Sequence, residues 1–174
     1  MALLDAFPKH KLVVADTMDL WIANEKAALQ DLLRKVDGLV LNYEESFQLT
    51  GKTNLVRAAE AIHAMGPRFV VIKKGEHGAF LLHRDGMVAL PAFAARDVVD
   101  PTGAGDTFAG GMMGYLASQG GEASLPALRR AMAYGTVVAS FTIESFSLDR
   151  LKQLSRPDID RRLSEFCRLV DAGA

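Results

Sequence analysis

Short apolar runs bounded by turn residues alternate with longer amphipathic stretches along most of this chain, and that alternation admits few folds. Residues 11–15, 38–41 and 69–73 read as strands, with helical patterns over 24–36 and 54–65 between them. Asp85-Gly86 separates two further apolar runs, 79–83 and 87–90, and predicts an antiparallel hairpin. Beyond the middle of the chain the pattern turns helical: 105–118, then 125–144 with Ser124 as N-cap, then two shorter helices. The stripe Met112, Met113, Leu116 and the face of Val137, Val138 and Phe141 read as core. With 174 residues, 49% hydrophobic and 24% charged, the chain is expected to form one α/β domain over 1–174.

Lys and Arg total 20 against 21 Asp and Glu, a net charge of −1. Without a basic block there is little to neutralise a phosphate backbone, so small-molecule chemistry is expected and no nucleic-acid partner. No apolar run approaches the ~20 residues that span a bilayer. The N-terminus lacks the charged start and long apolar core of a secretion signal, so no membrane partner and a cytoplasmic address are expected. Cys167 is the single cysteine and cannot close an internal disulfide; beside Leu163, Phe166 and Leu169 it reads as a packed thiol. His10, His63, His77 and His83 show no metal-ligand spacing.

The chemistry concentrates in Val98-Val99-Asp100-Pro101-Thr102-Gly103-Ala104-Gly105-Asp106-Thr107-Phe108, where an extended segment turns into a helix. Glycine there lets backbone N–H groups close on an anion, and the helix dipole adds partial positive charge. Asp106, one residue past the second glycine, is placed to take a proton from an attacking hydroxyl. A tight turn with an acidic residue decorating the first helical turn accounts for the same four residues.

Two other segments carry polar groups at strand ends. Asn42 and Glu45 follow the apolar run 39–41, at the carboxyl end of a strand, where open α/β sheets keep their ligands. An amide and a carboxylate acting through water suit a hard dication, and the same pair reads as an N-cap with its capping-box partner. Both roles are compatible. In Lys73-Lys74-Gly75-Glu76-His77-Gly78, glycines allow a flat ligand to approach the backbone closely, and an ordinary strand connection explains them too. Gly51-Lys52-Thr53 imitates the tail of a P-loop, but the glycine required five residues earlier is Ser46, and the segment follows a helix. Gly51 reads as a helix C-cap and Thr53 as the next N-cap.

Taken together and in their order along the chain, the three segments resemble the PfkB carbohydrate kinase, or ribokinase-like, family, whose signature is Asp-Thr-x-Gly-Ala-Gly-Asp; here Pro101 replaces the threonine after Asp100. The resemblance implies a ribokinase-like three-layer α/β fold, a sheet flanked by helices, truncated at the N-terminus. It implies ATP-dependent phosphotransfer to a hydroxyl of a sugar or nucleoside. Asp106 then matches the catalytic base, and the amides of Gly103, Ala104 and Gly105 the anion hole. Asn42 and Glu45 match the Asn-x-x-Glu motif that organises Mg2+ and water around ATP. Lys73, Gly75, Glu76 and Gly78 match nucleotide-contacting positions, and Tyr134 falls where the family lines the adenine pocket, although a core tyrosine with its hydroxyl at the edge fits as well. Asp100 and Thr102 match positions that help hold an activating monovalent cation, K+; the family's later Gly-Ala reads Phe146-Ser147 here. Because the pattern covers only the family's C-terminal portion, an unpaired sheet edge is expected to drive self-association or to require a missing N-terminal segment. A catalytically silent nucleotide-binding or assembly module derived from such a kinase is the alternative, and a hydroxymethylpyrimidine or pyridoxal kinase of the same superfamily fits the motif spelling less well.

Overall fold

The computed structural model describes residue 6 and residues 9–171. Its contacts divide the chain into two compact units: residues up to Lys74 with Phe80–Val88, and Gly75–Ala79 with the chain from Ala89 onward.

The first unit is built on β1 (Val14–Asp16), β2 (Gly38–Asn42) and β3 (Phe69–Lys73), which pair in parallel with Gly38 opposite Phe69, Asn42 opposite Lys73 and Asp16 opposite Val40. Helices α1 (Asp19–Asn24) and α2 (Lys26–Leu33) connect β1 to β2; α3 (Tyr43–Thr50) and α4 (Leu55–His63) connect β2 to β3. Strands β4 (Ala79–His83) and β5 (Gly86–Leu90) extend the sheet to the order β1-β2-β3-β4-β5. Their short connections cannot hold a crossover, so β3, β4 and β5 run antiparallel and the sheet is mixed. In β2 and β3 four successive residues are buried, as expected of parallel strands covered on both faces. Leu39, Leu41, Val70 and Ile72 share one face, packed with Leu29 and Leu33 of α2 and Ala59 and Ile62 of α4.

The strand and hairpin expectations match closely, with β1 starting later than expected. The helix expected over 24–36 is α2, ending earlier at Leu33, and it is preceded by the unexpected α1, from which Glu25 separates it with a φ of −127° and ψ of 36° that leave the helical region. Within α1 only Ile22 is buried, so no apolar stripe announces it. Gly51 is the expected left-handed C-cap, at φ 68°. Thr53 is not the next N-cap: Asn54 is, its side chain accepting from the Arg57 N–H at 3.1 Å. The amide oxygen takes the capping position one residue later.

In the second unit α5 (Ala104–Ser118) and α6 (Leu125–Thr142) pack closely through two glycines. A Cβ on Gly135 would stand 2.6 Å from the Phe108 carbonyl oxygen, and one on Gly111 3.2 Å from the Gly135 Cα. Met112, Leu116, Val137 and Phe141 are buried as expected, while Met113 and Val138 are half-buried. The tail is not two short helices but a single 3-10 turn, Leu151–Gln153, followed by α7 (Arg156–Val170), which is as long as α5. Helix α7 starts on a Ser155/Asp158 capping box, in which the Ser155 N–H donates to Asp158 Oδ2 at 3.1 Å. Leu163 and Phe166 are buried, Leu169 is exposed, and the half-buried Cys167 Sγ accepts from Arg130 at 3.2 Å.

Candidate active site

In the first unit Asp16, Asn42 and Lys73 end three adjacent parallel strands, Asn42 directly opposite Lys73 and Asp16 two residues back, opposite Val40. Lys73 Nζ reaches across the end of β2 to Asp16 Oδ2 at 2.9 Å. Asn42 is the N-cap of α3: its Oδ1 accepts from the Glu45 N–H, and Glu45 Oε2 accepts from the Asn42 N–H, each at 2.8 Å. The capping box is therefore real, and it holds Glu45 at the mouth of this strand row with only 8% of the residue exposed. Burial raises the Glu45 pKa; the Asn42 N–H opposes that, the nearby Asp16 charge adds to it, and Lys73 lowers it again. Asp16 was not among the residues singled out from sequence, though its place at a strand's carboxyl end is the signal that pointed to Asn42.

In the second unit the segment before α5 is folded tightly on itself. Asp100 Oδ1 accepts from the Thr102 N–H at 2.9 Å, and this backbone bond, with the Thr102 hydroxyl, holds the Asp100 carboxyl below its usual pKa. Gly103 follows as the N-cap of α5 at φ 78°, ψ 0°, left-handed backbone that glycine adopts without strain. No atom lies within 4 Å of where its Cβ would sit, so the cradle above it is open. The Ala104 N–H is turned inward to the Pro101 carbonyl at 3.1 Å, whereas the N–H groups of Gly103 and Gly105 find no acceptor among the described residues. Asp106 stands exposed on the first turn of α5. Donors without partners and a carboxylate at one helix head can hold an anion and take a proton.

The residues expected along the β3–β4 connection differ among themselves. Gly75, at φ 57°, has open space on its Cβ side, and Glu76 is exposed beside His77 at 3.8 Å. Gly78, at φ 82°, faces the β5 backbone: a Cβ there would lie 2.0 Å from the Leu90 carbonyl oxygen, so packing alone demands glycine. Tyr134, on α6, stacks on Tyr115 at 4.7 Å between centroids, has Arg130 and Arg156 over its ring at 5.8 and 5.6 Å, and accepts from Arg156 through its hydroxyl at 3.1 Å. Sequence gave no sign of the Ile143 carbonyl, which receives the Val99 and Asp100 N–H groups at 2.7 and 3.3 Å and so anchors the base of the Gly103 loop.

The model of the pfkB family of carbohydrate kinases matches residues 2–152. The chain belongs to that family. It is 33% identical over 127 residues to a bifunctional ribokinase/ribose-5-phosphate isomerase A of Fructilactobacillus sanfranciscensis, a match covering 70% of this chain and 22% of that protein. It is 36% identical over 90 residues to a cytidine kinase of Thermococcus kodakarensis, covering 50% of this chain and 32% of the kinase. Among solved structures, aminoimidazole riboside kinase of Salmonella enterica, complexed with aminoimidazole riboside and an ATP analog, superposes with a TM-score of 0.77 at 22% identity, over 87% of this chain and 52% of that one. A ribokinase II of E. coli solved with ATP and Mg2+ gives 0.67 at 23% identity, over 84% and 45%. The pfkB chain described here thus has the ribokinase fold and spans about half the length of these solved relatives. Among its described residues no helix is long and apolar enough to cross a membrane, and no group of three or more His, Cys, Asp or Glu side chains is arranged to hold a metal ion.

Proposed function

We propose that this chain is the nucleotide-binding and catalytic part of an ATP-dependent kinase that phosphorylates a hydroxyl of a sugar or nucleoside in the cytoplasm. The observation that carries the proposal is the open, left-handed Gly103 at the head of α5 with Asp106 on the same first turn. Relatives named for ribokinase and cytidine kinase activity support the substrate class. Asp106 accepts the proton of the attacking hydroxyl as ADP leaves, and the Gly103 and Gly105 amides, on either side of Ala104, hold the negative oxygens. The bound Mg2+·ATP supplies the phosphoryl group.

The residues present fit a hydrated cation. Asn42 Oδ1 and Glu45 Oε2 already accept backbone N–H groups, so the remaining lone pairs suit Mg2+ approached through its waters. Lys73, Gly75, Glu76, Gly78 and Tyr134 border the nucleotide in this reading, and Asp100 with Thr102 offers oxygens to K+.

Calorimetric titration of the chain with Mg·ATP, followed by ADP release over a panel of sugars and nucleosides, tests it. Binding with acceptor-dependent release is expected and names the substrate class. Binding with no release from any acceptor would replace the enzyme by a nucleotide-binding module, and no binding would remove both readings.

A further inference from the structure

The loop that ends at Gly103 is fixed at its base by one carbonyl. Ile143, the C-cap of α6, receives both the Val99 and the Asp100 N–H. A helix C-terminus carries carbonyls without helical partners and frays readily, so something must hold Ile143 in place. The next residue, Glu144, is gripped by two guanidinium groups, Arg162 Nη2 at 2.6 Å and Arg150 Nε at 3.5 Å. Arg162 does more than pair. Its Nη1 donates to Ser140 Oγ at 3.0 Å, and its guanidinium lies 3.4 Å from the Phe141 ring centroid and 5.0 Å from that of Phe93, on the segment leading into the loop. Its side chain is 17% exposed, which limits screening of the ion pair by solvent and salt.

We propose that Arg162 is a positioning residue for phosphoryl transfer: from α7 it clamps Phe93, Phe141 and Glu144 together and thereby holds the Ile143 carbonyl, the loop of Val99 to Gly103, and the head of α5 in one arrangement. The inference rests on the reading of that helix head as the phosphoryl site. Arginine suits the task because a planar fork can pair, donate and stack at the same time, whereas lysine offers only a point charge. The ion pair ties the residue just past the α6 C-cap to α7, so its loss acts first on the fraying end of α6 and on the loop tied to it.

The test uses the full chain and three variants: Arg162→Met, which keeps the apolar stem; Arg162→Lys, which keeps the charge; and Glu144→Gln, an isostere that serves if the first fails to fold. Hydrogen exchange at the Val99 and Asp100 amides is compared with exchange at Val137 in the middle of α6, and kcat and KM for Mg·ATP are measured on the same samples. Expected in Arg162→Met or Glu144→Gln is exchange faster by about tenfold or more at Val99 and Asp100 with Val137 unmoved. A kcat loss of about 10- to 100-fold is expected with it, as for a small misplacement of a catalytic group, while KM stays within about twofold. Arg162→Lys recovers part of both effects. Unchanged exchange at Val99 and Asp100, or a rise shared equally by Val137, would overturn the proposal and leave Arg162 a simple clamp on α7. If the unsubstituted chain releases no ADP, the kinase reading fails by itself, and the exchange comparison still decides the role of Arg162.

Discussion

Asp106 and an asparagine in its place differ by one proton-accepting oxygen, a small change in shape and a complete change in basicity. Asp106→Asn is therefore expected to lower ADP release by about 10²- to 10⁴-fold, the usual contribution of a general base, with Mg·ATP affinity by calorimetry unchanged; equal turnover in both proteins would sink the assignment. Glu45 gives a prediction with a sign. Its folded-state pKa is raised, chiefly by burial, so the folded protein favours the protonated form, and ionisation costs stability as pH rises from the ordinary carboxylate range through the raised value. Glu45→Gln keeps the acceptor of the capping box and removes the charge. Thermal unfolding should show the variant and the parent alike near about pH 4, where the ordinary and raised forms are both largely protonated, and the variant more stable at pH 7, while half-saturation by Mg2+ shifts to higher concentration. A variant less stable at pH 7 would mean the carboxylate is worth more as a cap than burial costs it. Asn42 and Glu45 were legible in the sequence because a capping box is written in three consecutive steps of chain. The Lys73–Asp16 pair was not, since a parallel sheet and not the local sequence brings those residues within 2.9 Å.

Helix α5 crosses α6 where a methyl group on Gly135 has no room and one on Gly111 would be tight, and the two helices separate crowding from intrinsic helix preference. Gly135→Ala drives a Cβ toward the Phe108 carbonyl and should cost about 1–3 kcal/mol, the range for overpacking. Gly114→Ala, exposed in α5 with nothing within 4 Å, should instead stabilise by about 0.5–1 kcal/mol through helix propensity. Denaturant midpoints of the two variants check this; a neutral Gly135→Ala would show that the helices slide apart at no cost. The same elements mark how far local reading goes. Strands β2 and β3 could be read from their unbroken apolar runs, because burial on both faces leaves no alternation to misread. Helix α1 could not, since one buried residue makes no stripe. Thr53 and Asn54 are both competent caps by residue type, and only the chain's path chose between them.

At the scale of the whole molecule, binding is linked to unfolding: a ligand that binds only the folded chain raises its stability by about 2.7 kcal/mol at a hundred times its dissociation constant. Mg·ATP at that excess should raise Tm by several degrees, and Asp106→Asn should keep the rise; no shift in either protein would tell against nucleotide binding. Strands β1 and β5 are the edges of the sheet, and the expected self-association predicts a mass above that of one chain in light scattering, with a monodisperse monomer as the contrary result. What the sequence by itself determined is set within a few residues: the strand runs, the Asn42 cap, the helix C-cap at Gly51, the tight turn at Gly103, and the carboxylate of Asp106 on the first turn of its helix. Those follow from backbone sterics and from hydrogen bonds that close over one turn. Only the tertiary structure decided that Lys73 meets Asp16, that Gly78 is demanded by a neighbouring carbonyl, and that the Ile143 carbonyl and Arg162 stand beneath the Gly103 loop. Contacts between residues tens of positions apart depend on how whole strands and helices pack, and no local pattern encodes them.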